Sequence, residues 1–447
     1  MLPVDRQPSA AMFSLPSTAT ATAPFCPSEV NGSVRIDANA SFGQRLRRFA
    51  GPGLLVAVGY MDPGNWATDI EAGSRFGYQL LWVVMLSGLA AMLLQMLAAR
   101  LGLVTGMDLA QASAARYGRA SRLFHWLSAE VSIIACDVAE VLGCALAFKL
   151  LFGVPLLWGV GLTAFDTLIV LGLKGRGFRQ LEAIVLGLIA TITLCFLAQL
   201  ALLDTHWPAV VAGLAPTLPA HDMDKAVVLA LGIVGATIMP HNLYLHSSVV
   251  QTRKVEGGKD ALRQTLLLCR IDTIASLLLA MLVNGAILVL AGSAFHAAGH
   301  TAVADIADAH ELIRPLAGSL AALLFGVALL AAGQSATLTG TVAGQVIMDG
   351  FLKIRIPCYQ RRLITRALAL LPAAAGIAWL GEQAVGPLLV WSQVVLSLQL
   401  PLAMWPLLRM TGDKALMGAH AAPRWVVVCG WGLFWLILAA NCALLFG

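Results

Sequence analysis

The sequence predicts an all-α polytopic membrane protein with two inverted five-helix repeats and an eleventh transmembrane helix. Of the 447 residues, 59% are hydrophobic and 12% are charged, and the mean hydropathy is +0.81. A soluble domain carries about 25% charged residues, so this composition excludes a soluble protein. Eleven apolar segments approach the ~20 residues that a bilayer requires. Proline interrupts the first and sixth segments in the same way, which indicates two related halves.

The chain divides around these segments. Residues 1–44 are rich in Ala, Thr, Ser and Pro without a sustained apolar run, so we expect a disordered cytoplasmic tail. The first five segments fill 45–203, an extracellular loop follows at 204–224, the second five fill 225–410, and 411–447 contain a loop and the eleventh helix. The segments lie at 48–74, 79–101, 123–150, 155–173, 179–203, 225–251, 264–292, 313–338, 363–381, 384–409 and 425–446.

Five is an odd number, so the second half enters the membrane from the opposite side and the repeat is inverted. Placing the N-terminus in the cytoplasm leaves few of the 29 basic residues outside. The outer ones are Arg75, Lys149, Lys225 and Arg314. This asymmetry predicts a multi-pass protein of the cell inner (plasma) membrane, with an extracytoplasmic C-terminus. Because the basic residues are spread between spans, we expect no nucleic-acid partner.

The two breaks carry the polar residues of interest. They are Asp62-Pro63-Gly64-Asn65 in the first segment and Met239-Pro240-His241-Asn242 in the sixth. A proline lacks an N–H and clashes with the preceding turn, so backbone carbonyls near each break are freed from the helical ladder. Such backbone is tolerated at membrane depth only beside protein or water. A carboxylate at this depth is a functional candidate by default.

Together the breaks offer a mixed set of metal ligands. These are the Asp62 carboxylate, the Asn65 carboxamide oxygen, the Ala236 carbonyl and the Met239 thioether. Sulfur is a soft ligand that adds affinity for Mn²⁺, Fe²⁺, Co²⁺ or Cd²⁺ and offers little to Ca²⁺ or Mg²⁺. The alternative is that Met239 only packs, but its alignment with Asp62 in the repeat favours a transition-metal site.

Ionisable residues near the breaks suggest a route for protons. Metal ligation requires an ionised Asp62, which releases a proton. Asp137 and Glu140 share a helix face at i and i+3. The alternative role for Asp137 and Glu140 is a structural ion pair. For His241 it is a neutral hydrogen-bonded ring, and for Arg361 and Arg362 it is membrane anchoring. The predicted proton pathway contains Asp62, Asp137, Glu140, His241, Glu130, Arg253, Arg361 and Arg362, and the arginines are expected to pair with its acids.

These motifs resemble the Nramp family. The resemblance rests on the two breaks, on HSSVVQTR at 246–253 and on SQVVLSLQLP at 392–401, and it extends from about residue 44 to the end. It implies a LeuT-type fold with helices 1 and 6 broken, and import of Mn²⁺ or Fe²⁺ with protons by alternating access. The ions are cargo, so we expect no resident cofactor and no obligate protein partner. The implied metal ligands are Asp62, Asn65, Ala236, Met239 and Gln393, with Gln399 as the alternative to Gln393.

Other functions fit the sequence less well. A magnesium carrier would gain little from the Met239 thioether, because Mg²⁺ is a hard, strongly hydrated ion. A sodium-coupled amino-acid transporter would have no use for a carboxylate opposite a thioether. An intramembrane metalloprotease requires H-E-x-x-H, whereas His310-Glu311 is followed by Arg314 at the position of the second histidine. A channel is disfavoured by the repeat, and we therefore expect a transporter and not an enzyme.

Overall fold

The computed structural model describes residues 31–165, 178–219, 222–256, 260–301, 303, 305–352 and 358–446. The helices of the first half are α1 (Phe42–Phe49), α2 (Pro52–Gly59), α3 (Pro63–Phe76), α4 (Leu81–Thr105), α5 (Leu109–Arg116), α6 (Arg119–Phe152), α7 (Leu156–Thr163), α8 (Phe178–Leu202) and α9 (Trp207–Ala212). Those of the second half are α10 (Met223–Thr237), α11 (Pro240–Val249), α12 (Ala261–Ala291), α13 (Ile306–Leu352), α14 (Cys358–Leu380), α15 (Val385–Thr411), α16 (Lys414–Met417) and α17 (Arg424–Phe446). Short 3-10 turns at Val250–Thr252, Glu382–Ala384 and Gly418–His420 and a π-helical turn at Gly292–His296 adjoin them.

The predicted all-α membrane architecture is confirmed. Nine helices in the described residues are long and apolar enough to cross a membrane. The two other predicted spans explain the difference from eleven. The first is split into α2 and α3, each shorter than a bilayer span, and the fourth is described only as far as α7 and the turn after it, because 166–177 lie outside the described residues.

Both predicted breaks are present. Three residues separate α2 from α3, and two separate α10 from α11. Pro63 and Pro240 each occupy the first turn of the second half-helix, where a missing N–H leaves no internal hydrogen bond unmade. The backbone just before each proline is extended, with φ −73° and ψ 164° at Asp62 and φ −75° and ψ 122° at Met239. The prolines therefore set the same geometry in both halves.

Close packing brings α6 against the first break. A Cβ placed on Gly143 of α6 would stand 2.2 Å from the Pro63 Cγ, so only glycine permits this approach. On the other side of the half-helix, the buried Trp66 ring packs edge-on against Phe196 and Phe325, with ring centroids 4.8 Å and 5.3 Å apart. These contacts fix α3, and with it the Asp62 carboxylate, in the core.

Part of the predicted disordered tail is ordered. Residues 1–30 lie outside the described residues, but part of 31–44 is ordered as strand β1 (Val34–Asp37) and the start of α1. β1 pairs in parallel with β2 (Arg253–Glu256), and a capping box begins α1. Composition alone missed this strand because its partner lies far away in the sequence, and strand formation depends on such pairing.

The eighth predicted span is longer than expected. It was predicted at 313–338, whereas α13 covers Ile306–Leu352. Gly318, three residues after Pro315, has a non-helical backbone with φ 89° and ψ 168°, so α13 consists of two helical parts joined at a kink. Glycine is required there because other residues rarely adopt a positive φ.

Candidate metal site

The Asp62 carboxylate caps the first turn of α3. Its Oδ1 accepts hydrogen bonds from the Asn65 backbone N–H at 2.9 Å and from the Asn65 Nδ2 at 2.6 Å. The same Nδ2 donates to the Ala236 carbonyl at 3.2 Å. The side chain of Asp62 is fully buried, and its Oδ2 has no hydrogen-bond partner among the described residues. A buried carboxylate oxygen without a partner is costly, so this atom is suited to receive a cation or a proton.

Met239 occupies the equivalent position before the second break. It is fully buried and stands at the N-cap of α11, but its side chain makes no capping hydrogen bond. A thioether is only a weak acceptor, so it leaves the first N–H groups of α11 uncapped. The sulfur therefore does not stabilise the start of α11 by a capping hydrogen bond.

Gln393 of α15 lies beside the first break. A Cβ placed on Gly64 would stand 1.7 Å from the Gln393 Nε2, which donates to the Ser392 hydroxyl at 3.0 Å. The Gln393 Oε1 is buried without a partner in the described part of the chain. Gln399 is six residues further along α15, about 9 Å along the helix axis. The contact with Gly64 favours Gln393 over Gln399 as the residue facing the site.

The donor set contains a single acid. Within the described residues no group of three His, Cys, Asp or Glu side chains is arranged to hold a metal. The predicted site relies instead on one carboxylate with a backbone carbonyl, carboxamides and a thioether. Such a set suits a divalent ion of intermediate softness that is to be released again, because the ligand charge is low.

The two predicted acids of α6 lie near the second break. Asp137 and Glu140 are buried, and α13 approaches both, since a Cβ on Gly340 would stand 3.0 Å from the Glu140 Oε1 and 3.5 Å from the Asp137 Oδ1. The Cys136 thiol donates to the Glu140 Oε1 at 3.6 Å and lies 3.9 Å from the His241 Nε2. The structure thus brings the two acids and the histidine of the predicted pathway together. The bridging thiol was missed, because a cysteine in an apolar run carries no distinguishing signal.

Glu130 lies on the same helix, nearer its N-terminal end. It is partly buried and precedes Asp137 by seven residues, which is about 10 Å along the axis of α6. Two helical turns place it on the same face as that acid. Its position is compatible with the predicted route, and its place in that route stays a prediction.

Arg253 pairs with a residue that the sequence did not single out. Its Nη2 contacts the Glu182 Oε1 of α8, and its Nε and Nη2 donate to the carbonyls of Phe49 at 2.9 Å and Ala50 at 3.3 Å. Burial lowers the pKa of Arg253, and the Glu182 carboxylate opposes this effect. The predicted pairing of Arg253 with the acids of α6 is therefore wrong. Sequence cannot reveal such a pair because the two residues lie far apart in the chain.

A second buried acid holds the start of α2. The Asp272 carboxylate of α12 accepts from the Gly51 N–H at 3.2 Å and from the Gly53 N–H at 2.7 Å. These belong to the N–H groups that a helix start leaves without an internal partner. Asp272 therefore acts as a cap supplied by another helix, and together with Arg253 it fixes the N-terminal end of α2.

Of the arginines of α14, only Arg366 has a side chain among the described residues. The side chains of Arg361 and Arg362 lie outside the described residues, so their places in the pathway remain predictions. Arg366, one turn further on, is buried and donates to the Thr163 carbonyl from Nε at 3.4 Å and from Nη2 at 3.2 Å.

Solved structures with this architecture define the class of protein. A manganese transporter from Eremococcus coleocola superposes with a TM-score of 0.87 at 38% identity, covering 93% of this chain and 90% of that one. Mhp1, a nucleobase-cation-symport transporter, superposes with a TM-score of 0.60 at 15% identity, covering 94% and 92%. The second match concerns the fold alone. The chain is a membrane transporter with a LeuT-type fold, as predicted.

Its family follows from the sequence comparisons. The model of the Nramp family, natural resistance-associated macrophage protein-like, matches residues 53–447, and the chain belongs to this family. A divalent metal cation transporter MntH from Ralstonia nicotianae is 63% identical over 432 residues, which are 96% of this chain and 98% of the relative. MntH 1 from Pseudomonas aeruginosa is 61% identical over 435 residues, 97% and 99%. These relatives are transporters, so the prediction of a transporter rather than an enzyme is confirmed.

Proposed function

We propose that this protein is a proton-coupled symporter that imports divalent transition-metal ions, Mn²⁺ and Fe²⁺ among them, into the cytoplasm by alternating access. One observation carries the proposal. The Asp62 carboxylate, the Asn65 carboxamide and the Ala236 carbonyl meet at one buried point between two broken helices, and one carboxylate oxygen there has no partner among the described residues. The names of the relatives support the choice of cargo, since two are divalent metal cation transporters and one is a manganese transporter.

The cargo ion would bind between the two breaks. Its ligands would be Asp62, Asn65, the Ala236 carbonyl, Met239 and Gln393. The Asn65 Nδ2 faces two oxygens at 2.6 Å and 3.2 Å, whereas a cation requires the carboxamide oxygen. A half-turn of the carboxamide exchanges the two atoms, so Asn65 can bridge Asp62 and Ala236 through its N–H groups and can bind a cation through its oxygen.

Coupling to protons follows from the buried acids. Metal binding requires an ionised Asp62, and the proton that leaves it needs an acceptor nearby. The cluster of Asp137, Glu140 and His241 lies against the second break and supplies such acceptors, with Glu130 further along α6. A path for protons that leads away from the metal ligands, starting at Asp62, permits both ions to move in one direction.

Import requires that the site open to each side in turn. The basic residues favour a cytoplasmic N-terminus and an extracytoplasmic C-terminus in the cell inner membrane, which makes the N-terminal end of α2 the cytoplasmic gate. In this structure the gate is held by Arg253 and Asp272. Opening to the cytoplasm must break these contacts, and the half-helix α2 can move because the break at Asp62 separates it from α3.

The proposal is tested by Mn²⁺ uptake into liposomes that contain the purified protein and an internal pH dye. We expect metal entry with acidification. Both should fall by at least about tenfold to a hundredfold in Asp62→Ala, because mutating a residue that only hydrogen-bonds to a metal ligand already lowers affinity or activity by this much. Asp204→Ala removes an exposed acid and serves as the matched control. Metal entry without acidification refutes the coupling and keeps the site. No entry of Mn²⁺, Fe²⁺ or Cd²⁺ refutes the transport of transition metals.

The proton pathway is tested in the same liposomes with His241→Ala and Glu140→Gln. Because these groups are proposed to carry protons and not metal, we expect the ratio of acidification to Mn²⁺ entry to fall severalfold while Mn²⁺ still enters. His246→Ala is the control, since this equally buried histidine hydrogen-bonds to Gln95 outside the cluster. An unchanged ratio and pH dependence in both variants would show that the pathway is misassigned.

A further inference from the structure

An arginine-lined cavity lies at the N-terminal end of the first broken helix. It has a volume of about 420 Å³ and is lined by β1, α1 and the start of α8. The polar side chains that line it are Asp37, Gln44, Arg45, Arg47, Arg48 and Arg179. Ligand pockets typically occupy about 300–1,000 Å³, so the cavity exceeds the needs of a single bound ion and suits a small organic anion. It is separate from the metal site and does not depend on the proposed transport.

The positive charge in the cavity is largely uncompensated. Four guanidinium groups face one carboxylate, that of Asp37. Arg179 is held in place, since its Nη1 donates to the Ala50 carbonyl at 2.5 Å and to the Glu182 Oε2 at 3.1 Å. Arg47 and Arg48 form no ion pair within the described residues. The cavity therefore attracts an anion.

One of the four guanidinium groups, that of Arg45, is held in place by a hydrogen bond. Its Nη1 donates to the Gln264 Oε1 at 2.5 Å, which fixes the guanidinium plane. Its Nε is buried but has no hydrogen-bond partner in the described part of the chain. An unsatisfied donor on a fixed guanidinium is costly unless an acceptor arrives. Arginine forks match the oxygens of phosphate and of carboxylate, and they bind these anions through two parallel hydrogen bonds.

The helix beside the cavity indicates where the phosphate comes from. On α1 the apolar residues Phe42, Leu46 and Phe49 recur at i, i+4 and i+7, and the arginines occupy the rest of the surface. Phe49 is fully buried, whereas Phe42 is 46% exposed next to the first transmembrane segment. A basic amphipathic helix with an exposed aromatic ring lies in the headgroup region of a bilayer. Basic pockets at this level bind the headgroups of anionic lipids.

We propose that this cavity binds a phosphate ester, and that its source is the headgroup of an anionic phospholipid such as phosphatidylglycerol. Arg45, Arg47 and Arg48 hold the phosphate oxygens, and Arg179 forms the opposite wall. Because Arg179 also contacts the carbonyls of Arg47 and Ala50, a bound headgroup ties α1 to α8 across the N-terminal end of α2. Lipid binding therefore stabilises the closed arrangement of this end.

The test is native mass spectrometry and thermal unfolding of the purified full chain with phosphatidylglycerol, phosphatidylcholine or glycerol 3-phosphate. We expect one tightly bound phosphatidylglycerol and a higher melting temperature, and binding about tenfold weaker in Arg47→Gln/Arg48→Gln, since charge-assisted hydrogen bonds are lost. Both arginines are exposed, so the variant is expected to fold. Arg119→Gln/Arg122→Gln is the matched control, because it removes two charges from a helix start that lies on the same predicted face and outside the cavity.

Each outcome decides the proposal. Retained binding in the control together with weakened binding in the cavity variant supports the site. Equal weakening in both variants would mean diffuse surface attraction and overturn it, as would equal binding of phosphatidylglycerol and phosphatidylcholine by the unmodified protein. Equal stabilisation by glycerol 3-phosphate and by the lipid would overturn the lipid as the source and assign the cavity to a soluble phosphate ester.

Discussion

The two broken helices have the same break but different chemistry at it. Both use a proline in the first turn of the second half-helix, and both follow it with an asparagine two residues later. The Asn65 side chain reaches the Ala236 carbonyl, and the Asn242 side chain lies against Gly59, the position that corresponds to Ala236 in the repeat. The framework is therefore repeated in space as well as in sequence.

The residue before each proline departs from this symmetry. Asp62 caps its half-helix and keeps one oxygen without a partner among the described residues, whereas Met239 caps nothing. A symmetric pair of carboxylates would bind hard ions and would be repelled by its own charge. A thioether in place of one of them lowers the charge and would supply a soft ligand to the proposed metal ion. We propose that the repeat supplies the geometry and that the difference between Asp62 and Met239 supplies the selectivity.

The far ends of the two helices differ as well. The N-terminal end of α2 is held by the buried pair of Arg253 and Glu182 and by the carboxylate of Asp272. The N-terminal end of α10 is held by Asp222 with Arg75 at 2.9 Å, both partly exposed, and by Lys225 with Glu71 at 2.8 Å, where only the lysine is partly exposed. Water and salt screen the exposed pairs. The α2 end is therefore held more strongly than the α10 end.

The largest expected effect comes from removing the buried partner at the α2 end. Glu182→Gln removes the carboxylate that contacts the buried Arg253 directly, and breaking a buried pair in this way costs about 3–5 kcal/mol. We expect a clear fall in the melting temperature of the detergent-solubilised protein, followed by intrinsic tryptophan fluorescence. Glu256→Gln is the control, since its pair with Arg35 is exposed. Melting temperatures that match in the two variants would contradict the account of the α2 end.

An intermediate effect is expected at the asymmetric position. Met239→Ala removes the soft ligand, so the affinity for Cd²⁺ should fall by about tenfold while the affinity for Ca²⁺ stays unchanged. Isothermal titration calorimetry measures both ions on the same preparation. Met404→Ala, at an equally buried methionine of α15, controls for lost packing. If discrimination between Cd²⁺ and Ca²⁺ survives in Met239→Ala, the sulfur is not a ligand.

The smallest effect is expected at the α10 end. Asp222→Asn removes the pair with Arg75, in which both side chains are partly exposed, and such a pair is worth about 0–1 kcal/mol. The melting temperature should change far less than in Glu182→Gln, and the change should shrink further in high salt. A loss as large as that of Glu182→Gln would show that the two ends are held equally and would remove the proposed difference.

Much of this arrangement was predictable because it depends on local chemistry. Proline sets a break wherever it occurs in an apolar span, so the positions of Asp62 and Met239 followed from the residues around them. The pair of Arg253 with Glu182 was not predictable, since no local pattern links two residues on separate helices. The same holds for β1 with β2, and for Asp272, whose capping partners belong to another helix. Long-range pairing was the part that only the structure supplied.

The central claim is that one metal ion binds between the unequal halves of the repeat. Anomalous diffraction from crystals of the full chain grown with Mn²⁺, with data collected at the manganese edge, locates the ion directly. The account predicts one peak within bonding distance of an Asp62 carboxylate oxygen and the Met239 sulfur, and none in crystals of Asp62→Ala. A peak that contacts neither residue, or one that persists unchanged in the variant, would contradict it.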